Sequence, residues 1–501
     1  MFDLNNFQAR DNEVFAGMAA EDILKAMSAG LQTGRDYNDT THNGEGLKVE
    51  SLDPVVKVLT NKMEHLQLWK MIPKQSIYNT VHEYNQLIKY GNSTGVFNLE
   101  GEPPQFTDTQ YRRKSQIVKF MGIGGQVTHP AMLVKRADGK DPLAVEVENK
   151  TMLLLTEINR LIVSADDSKV DTEFSGLFRQ HITGISDIYG GITGKSSETL
   201  LDEYFADPAV IDANSGILTD SLVEDAADIA VNRRKGMISD IISNPTVFNN
   251  YVKQFHESKR IMVANPLQAT TGAIMGQAVN GIQTQFGQIS IKNDIYFDER
   301  APIAYNRLAT SDKAPAAPTI GAVPIAVNTD SKTKFTSHAG TYYYVVTAKN
   351  RFGESAPLVI NTSGQAVTSS QSVDIQFTAT AGAYAAESFV VYRTEADPAT
   401  RTTANYYPLF EVSVAELAAG YDGAAVTLVR DRNRFQPNTH SAFVLYFDSE
   451  YLEYLQLAPT MRMDFAINGP SRRFSILNYG TPAMYQPGKI VRICNIGKKT
   501  A

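Results

Sequence analysis

The longest amphipathic pattern in the chain runs from Asp141 to Ala165, DPLAVEVENKTMLLLTEINRLIVSA. Apolar residues recur there at spacings of three, four and seven, and a second apolar set widens the same stripe. Asp141 followed by Pro142 is a helix-start signal, because an acceptor at the N-cap precedes a residue pre-set for the first turn. The pattern predicts a helix of roughly 37 Å, against an average of roughly 17 Å. Such a helix is a strut that other elements lie across, although taken alone it fits a core helix of a large enzyme better.

Two helical stretches precede the strut. Residues 1–50 predict an arm with short amphipathic helices and a Gly- and Asn-rich loop. Through Lys57 the arm carries ten Asp/Glu and five Lys/Arg, a net charge of −5, which favours packing on protein over condensing DNA. Asp53-Pro54 predicts the start of a second helix, which Pro73 ends.

Between these helices and the strut the period changes to two. Residues 76–90 alternate and are rich in β-branched and aromatic types, and a second extended stretch covers 107–127. Together they predict a large hairpin whose polar tip contains Gly and Pro. Its central part, TDTQYRRKSQ, is too polar to bury within its own subunit, and a lone hairpin is marginally stable. We therefore expect the hairpin to lie on a neighbouring molecule.

Helices and strands mix after the strut. The Gly-rich stretch 171–197 is predicted to be loops, and Thr219 or Asp220 is predicted to cap a helix. Residues 237–243 predict a short strand, 247–255 a helix, and 284–297 a strand pair or a bent strand.

The composition shifts near residue 312, where KAPAAPTIGAVP predicts a linker. Alternating runs follow, separated by Gly and Pro at short intervals: TYYYVVTAKN, SVDIQFTAT, ESFVVYR, YYPLFEV and VTLVRD. They predict an antiparallel β-sandwich, and 441–501 then returns to the style of the first part. An inserted all-β domain at 312–440 is the interpretation that follows.

Composition narrows the class of protein. Of 501 residues, 43% are hydrophobic and 20% charged, which is ordinary for globular proteins and allows two to four domains. The net charge of −7 gives no overall basic field for nucleic acid. A single cysteine, Cys494, excludes an internal disulfide framework. The polar, acidic N-terminus is not expected to be a signal peptide, and no apolar stretch is long enough to span a membrane.

No enzyme signature stands out. GITGKSS (191–197) resembles a phosphate-binding loop, but the required first glycine is Tyr189, and GIGG (122–125) lacks the third glycine of a dinucleotide fingerprint. The histidines show no metal-ligand spacing, and neither a GxSxG nor an HExxH motif occurs. We predict no catalytic residues, no metal and no cofactor.

The hairpin carries the candidate contact residues. Arg112, Arg113 and Lys114 form a basic run on its second strand, and Tyr84 and Tyr111 accompany them. The run is either a solvated edge that discourages aggregation or a salt-bridge site for the acidic face of a neighbouring subunit.

The order of elements resembles the major capsid proteins of tailed bacteriophages, with the Hong Kong ninety-seven-type capsid fold. LKVESLDPVVKVLT, LQLWKMIPK and TVHEYNQLIKYG are similar to the lead-in of large-phage capsid proteins, and so is EGEPPQFTDTQYRRKSQIVKFMGIGGQVTHPAML. The resemblance covers about 1–310 and 441–501, and the stretch between them looks like a fibronectin type III or other immunoglobulin-like module.

The resemblance implies an α+β capsid fold with four parts and an insert. An N-terminal arm (1–50) precedes a core (51–311 and 441–501), and an inserted β-sandwich (312–440) interrupts that core. Within the core, the resemblance implies an extended loop (76–128), a peripheral domain with a spine helix (141–165) and an axial domain (about 216–300).

By the same resemblance the function is to form hexamers and pentamers of an icosahedral or prolate shell, assembled in the host cytoplasm and found in the virion. The implied partners are further copies of the chain, portal, scaffolding or decoration proteins, and packaged double-stranded DNA met without specificity. The insert implies contact with glycans or the host surface, and no membrane is involved. Two alternatives stay open: a tail-tube protein or adhesin, and a hydrolase carrying a fibronectin-like module.

Overall fold

The computed structural model describes residues 63–91, 97–101, 103, 106–134, 141–255, 281–300, 302–303, 312–419, 428–467 and 469–498. The predicted arm and the predicted helix start at Asp53 lie outside these residues.

The described helices are short except for one. They are α1 (Gln67–Met71), α2 (His129–Leu133), α3 (Pro142–Ser164), α4 (Leu177–Ser186), α5 (Ser197–Ala206), α6 (Asp220–Asp228), α7 (Pro245–Phe255) and α8 (Val414–Ala419). Among them, none combines the length and the apolar character needed to cross a membrane.

Helix α3 confirms the predicted strut. Its buried apolar face consists of Leu143, Leu154, Leu155, Ile158, Ile162 and Val163. One polar residue, Asn159, is buried on the same face and accepts a hydrogen bond from the Trp69 backbone N–H at 2.8 Å. The Asn159 amide donates to Asp294 at 3.0 Å, and Asp294 also accepts from the Leu68 N–H. This buried pair therefore ties α1 and the turn at Asp294 to the long helix.

The strands before residue 300 confirm the predicted change of period. They are β1 (Lys74–Ser76), β2 (Val81–Lys89), β3 (Gln110–Ile117), β4 (Lys119–Thr128), β5 (Val210–Asp212), β6 (Asp240–Ser243), β7 (Gly281–Thr284) and β8 (Gly287–Asn293). Strands β2 and β3 form a two-stranded antiparallel sheet, called the hairpin below. The predicted strand at 107–127 is in fact two strands, because the chain turns at buried Val118 and β4 enters a different sheet.

The stretch predicted as loops at 171–197 contains α4, so that prediction was wrong. Gly184 made it look like a turn, but this glycine is required by packing inside the helix. A Cβ atom at Gly184 would lie 2.0 Å from Cγ of Pro487. Leu177, His181 and Ile185 bury the same side of the helix at spacings of four.

Between residues 312 and 434 most of the described regular structure is strand, and we call this stretch the β-rich segment. Its strands are β9 (Thr319–Thr329), β10 (Gly340–Tyr342), β11 (Tyr344–Asn350), β12 (Gly353–Glu354), β13 (Leu358–Val359), β14 (Gln365–Val367), β15 (Gln371–Thr378), β16 (Ser388–Arg393), β17 (Tyr407–Ser413) and β18 (Leu428–Asp431). In the described part of the chain they pair only with one another. The sheets containing β11 and β15 share an apolar core that includes Tyr344, Phe377 and Phe389. Its assignment as an immunoglobulin-like insert stays a prediction.

The last strands close the two remaining sheets. They are β19 (His440–Leu445), β20 (Leu452–Asp464), β21 (Ser471–Met484) and β22 (Val491–Ile496). One sheet has the order β1-β20-β21-β4, and the other has the order β5-β22-β19-β6-β8-β7. Helix α6, capped as predicted by the Thr219 hydroxyl, packs on the second sheet. Helices combined with mostly antiparallel sheets confirm the predicted α+β class.

A polar network is buried where α4 meets the segment before β22. His181 is fully buried, with Nδ1 2.8 Å from the Tyr204 hydroxyl and Nε2 2.9 Å from the Ile490 carbonyl oxygen. A carbonyl can only accept, so Nε2 carries the proton and Nδ1 accepts from Tyr204. Burial lowers the pKa of His181 to about 4, and the nearby Arg492 guanidinium acts in the same direction.

Candidate subunit interface

The hairpin has two chemically different faces because strand side chains alternate. Tyr84 stands opposite Lys114 and Gln86 opposite Arg112, whereas Leu87 stands opposite Tyr111. The half-buried residues of each strand alternate with exposed ones. The basic run predicted from the sequence is therefore divided: Arg112 and Lys114 lie on the inner face, which is turned toward the chain's own core, and Arg113 lies on the outer face.

The inner face is held by one carboxylate at the end of α4. The Lys114 ammonium pairs with Asp187, and Arg112 Nη1 lies 3.4 Å from the other Asp187 oxygen. Both cations are partly shielded from solvent, which makes these contacts stronger than fully exposed ion pairs. One carboxylate shared between two cations leaves the inner face with an excess positive charge.

Aromatic packing completes the attachment of the hairpin. The Tyr84 ring lies edge-on to Tyr485 with the ring centroids 4.7 Å apart, and the Gln86 amide donates to the Tyr485 carbonyl oxygen. Burial raises the pKa of Tyr84, so this side chain stays neutral at physiological pH. Three of the five predicted contact residues, Arg112, Lys114 and Tyr84, thus have partners in the same chain outside the hairpin.

The outer face is exposed and carries apolar cross-strand pairs. Leu87 and Tyr111 form one pair, exposed by 42% and 69%, and Val81 and Ile117 form another. Between them, Arg113 Nη1 lies 3.4 Å from Glu83 in an exposed ion pair. Protein contact surfaces combine apolar and charged side chains in this way.

Large apolar side chains are also exposed in the described residues beyond the paired strands. Tyr90, Phe97, Leu99 and Phe106 are between 78% and 99% exposed. Apolar exposure on this scale favours a surface that another molecule covers.

The sequence did not indicate the residues that anchor the hairpin. Asp187 was missed because the stretch around it was predicted to be loop, and Tyr485 because it is distant in sequence. The outer pairs could have been found, since the period of two in 81–87 and 111–117 places them on one face.

No site for chemistry emerges in the described part of the chain. Across those residues, no group of three or more His, Cys, Asp or Glu side chains is placed to hold a metal ion. Cys494 is buried, and burial raises the pKa of its thiol, which keeps it protonated and unreactive.

The chain is similar over 96% of its length to major capsid proteins of Staphylococcus phages. It is 24% identical over 503 residues to the major capsid protein of Staphylococcus phage S25-3, and the alignment covers 96% of each chain. The major capsid protein of Staphylococcus phage K is 24% identical over 504 residues, again with 96% of each chain covered. No protein-family model matches the chain.

Two solved capsid structures are weakly similar to the chain. The capsid of the native GTA particle matches 90% of this chain with a TM-score of 0.41 and 8% identity, covering 96% of its own chain. The capsid of Myoviridae phage XM1 matches 89% with a TM-score of 0.40 and 8% identity, also covering 96% of its own chain. At these scores the likeness says nothing about function.

Proposed function

We infer that this chain is the major capsid protein of a tailed bacteriophage and that it has no enzymatic role. The alignment to capsid proteins of the same kind is end to end, so the likeness includes the hairpin, the long helix, the sheets and the β-rich segment together. A protein that borrowed only one module from a capsid would align over that module alone.

The observation that carries the structural part of the proposal is the exposed outer face of the hairpin. A two-stranded sheet is marginally stable by itself, and this one leaves Leu87 and Tyr111 in water. Covering such a face requires a partner that is always present, and another copy of the chain is the partner that a closed symmetric shell supplies. We place Tyr111 and Arg113 in that contact, and Arg112, Lys114 and Tyr84 beside it as the residues that set the hairpin's position.

The finer assignments follow from the capsid role. The hairpin is the extended loop within 76–128, α3 is the spine helix, 216–300 contributes to the axial domain, and 312–440 is an immunoglobulin-like insert. The copies would form hexamers and pentamers in the host cytoplasm, with portal, scaffolding or decoration proteins as further partners. A net charge of −7 supports non-specific contact with the packaged DNA rather than tight binding. Glycan or host-surface contact is proposed for the insert.

The test is assembly of the full chain, expressed alone and together with the other head proteins of its phage. Negative-stain microscopy should show closed particles for the unaltered chain. Leu87→Glu with Tyr111→Glu should abolish particles, because two buried carboxylates would oppose the contact. Ile320→Glu, which changes a 51% exposed apolar residue of the β-rich segment, is the matched control and should assemble.

Emission from the only tryptophan, Trp69, checks that each variant is folded. If the double variant formed particles at the normal yield, the hairpin would not be part of the subunit contact. Rings, fibres or free subunits alone from the unaltered chain, under every expression condition, would refute the shell assignment in favour of a tail or adhesin protein.

A further inference from the structure

The β-rich segment is joined to the rest of the chain by a cluster of ion pairs. On helix α5, Glu198 accepts from Arg434 Nη1 at 2.5 Å and from Arg432 Nη1 at 3.1 Å, and Asp202 pairs with Arg434 as well. Both arginine side chains are only 7% exposed. Arg432 is held from behind by Asp330 of the segment, 2.5 Å from its Nε. Charge-assisted bonds that are shielded and positioned in this way are much stronger than surface pairs.

Further pairs of the same polarity extend the cluster along the core. Lys332 Nζ lies 2.9 Å from Asp202, and Lys334 Nζ lies 2.7 Å from Asp212 on strand β5. Lys334 also sits over the Phe205 ring at 4.5 Å. In each of these pairs between the segment and the core, the segment supplies the base and the core supplies the acid. This pattern fixes both the position and the orientation of the segment.

A second attachment lies just after the long helix, and its closest ion pair has the opposite polarity. Lys169 of the core pairs with Glu416 of the segment, which also accepts from the Ser197 hydroxyl. Burial alone would raise the pKa of Glu416. The Lys169 ammonium and the hydrogen bonds to Glu416 lower this pKa, so the carboxylate is ionised. Beside it, Lys349 lies 3.8 Å from Glu173 of the core.

The two attachments hold parts of the core that belong to different layers. Lys169 and Glu173 follow α3, next to the apolar cluster that α3 shares with the four-stranded sheet and with one face of the six-stranded sheet. Asp212 is on the edge strand of the six-stranded sheet, whose other face has a second apolar cluster. Ion pairs join the segment to both places, whereas its own core is apolar.

We propose that the β-rich segment is an electrostatic brace that fixes the region after the long helix against the six-stranded sheet. The segment is then a mechanical part of the subunit, and removing it would loosen the core. This inference is independent of the proposed function, since it concerns contacts within one chain. An autonomous surface module could be removed without loosening the core, whereas removal of a brace should loosen it.

The test reverses the charges at α5 and then restores them. Glu198→Lys with Asp202→Lys should raise amide hydrogen exchange at least tenfold in 197–206 and also in 166–176, because the segment moves as one body. Adding Arg432→Glu and Arg434→Glu should slow exchange again in both regions, although not to the rates of the unaltered chain, because the new carboxylate at position 432 repels Asp330.

The control and a milder variant keep the result interpretable. Asp464→Lys breaks the exposed ion pair with Arg462, outside the brace, and should leave both regions unchanged. Should the reversed variant fail to fold, Glu198→Gln with Asp202→Asn removes the charges without repulsion and should give the same pattern at smaller amplitude.

Two outcomes would overturn the proposal. Faster exchange confined to 197–206 would mean that the ion pairs at α5 act only locally and do not hold the region after the long helix. Unchanged exchange in both regions, or no recovery in the fourfold charge swap, would mean that packing rather than charge holds the segment.

Discussion

The buried histidine of α4 predicts a specific loss of stability in mild acid. His181 is enclosed with Tyr204 and the Ile490 carbonyl, and the Arg492 guanidinium lies 3.3 Å from the Tyr204 hydroxyl. A proton added at Nδ1 would place a second cation in this closed network. The folded state therefore resists protonation, and burial lowers the pKa of His181 to about 4.

The sign and the magnitude follow from linkage. The unfolded chain binds this proton with a pKa near 6.5, so between roughly pH 6.5 and pH 4 the unfolded state holds more protons than the folded one. The free energy of unfolding therefore falls as the pH falls through this window, and the contribution is lost in full below about pH 4. Each tenfold difference in proton affinity is about 1.4 kcal/mol, so the whole effect is on the order of 3 kcal/mol. Between pH 7 and pH 5 it is roughly 2 kcal/mol.

The assay is urea unfolding of the unassembled full chain at both pH values, followed by Trp69 emission. Trp69 is 7% exposed and packs edge-on against Tyr454 at 4.9 Å, so its emission reports the main core. His181→Gln, which cannot titrate, should lose about 2 kcal/mol less than the unaltered chain between the two pH values. Comparing pH values within each variant removes the fixed cost of the replacement.

His129→Gln changes an exposed histidine and should behave like the unaltered chain. Equal losses in the His181→Gln variant and the unaltered chain would refute the reasoning, because His181 would then not be the group that takes up the proton.

Two glycines give further predictions that thermal unfolding of the full chain can check. Gly184→Ala should lower the melting temperature by several degrees, because the new Cβ would lie 2.0 Å from Pro487 and overpacking costs about 1–3 kcal/mol. An unchanged melting temperature would show that α4 can shift freely. Gly125→Ala should act similarly, because its Cβ would lie 2.3 Å from the Phe474 ring, whereas Gly124→Ala, with its nearest neighbour at 3.9 Å, should cost little. Equal effects at these adjacent positions would contradict the packing explanation.

The local spacing of apolar residues was sufficient to predict the bounds of elements that bury only one of their faces. The spacing of apolar residues in 141–165 predicted α3 to within a residue at each end, because an uninterrupted stripe leaves the helix one way to bury it. The five alternating runs predicted in the β-rich segment also contain strands, whose ends lie near Gly or Pro breaks, but 319–324 of the predicted linker belongs to β9.

Prediction failed where a residue's meaning depends on a distant partner. Gly184 predicts a break when read locally, but Pro487, three hundred residues later, requires it inside a helix. Asp187 looked like a solvated loop residue, and only the fold brings Arg112 and Lys114 to it. The basic run was predicted as one patch because adjacent charges look continuous in a sequence, whereas the pleat of a strand sends neighbours to opposite faces.

The hairpin's two faces together explain why its position matters more than its own stability. The inner face binds the chain through Asp187 and the Tyr84–Tyr485 contact, which are a few directional interactions and little buried apolar area. These can set the direction of the hairpin without burying enough surface to stabilise a two-stranded sheet. The apolar pairs that could supply that burial, Leu87 with Tyr111 above all, face away from the chain. Under the proposed assembly, the subunit sets the direction of the hairpin, and a neighbouring copy supplies the burial that stabilises it.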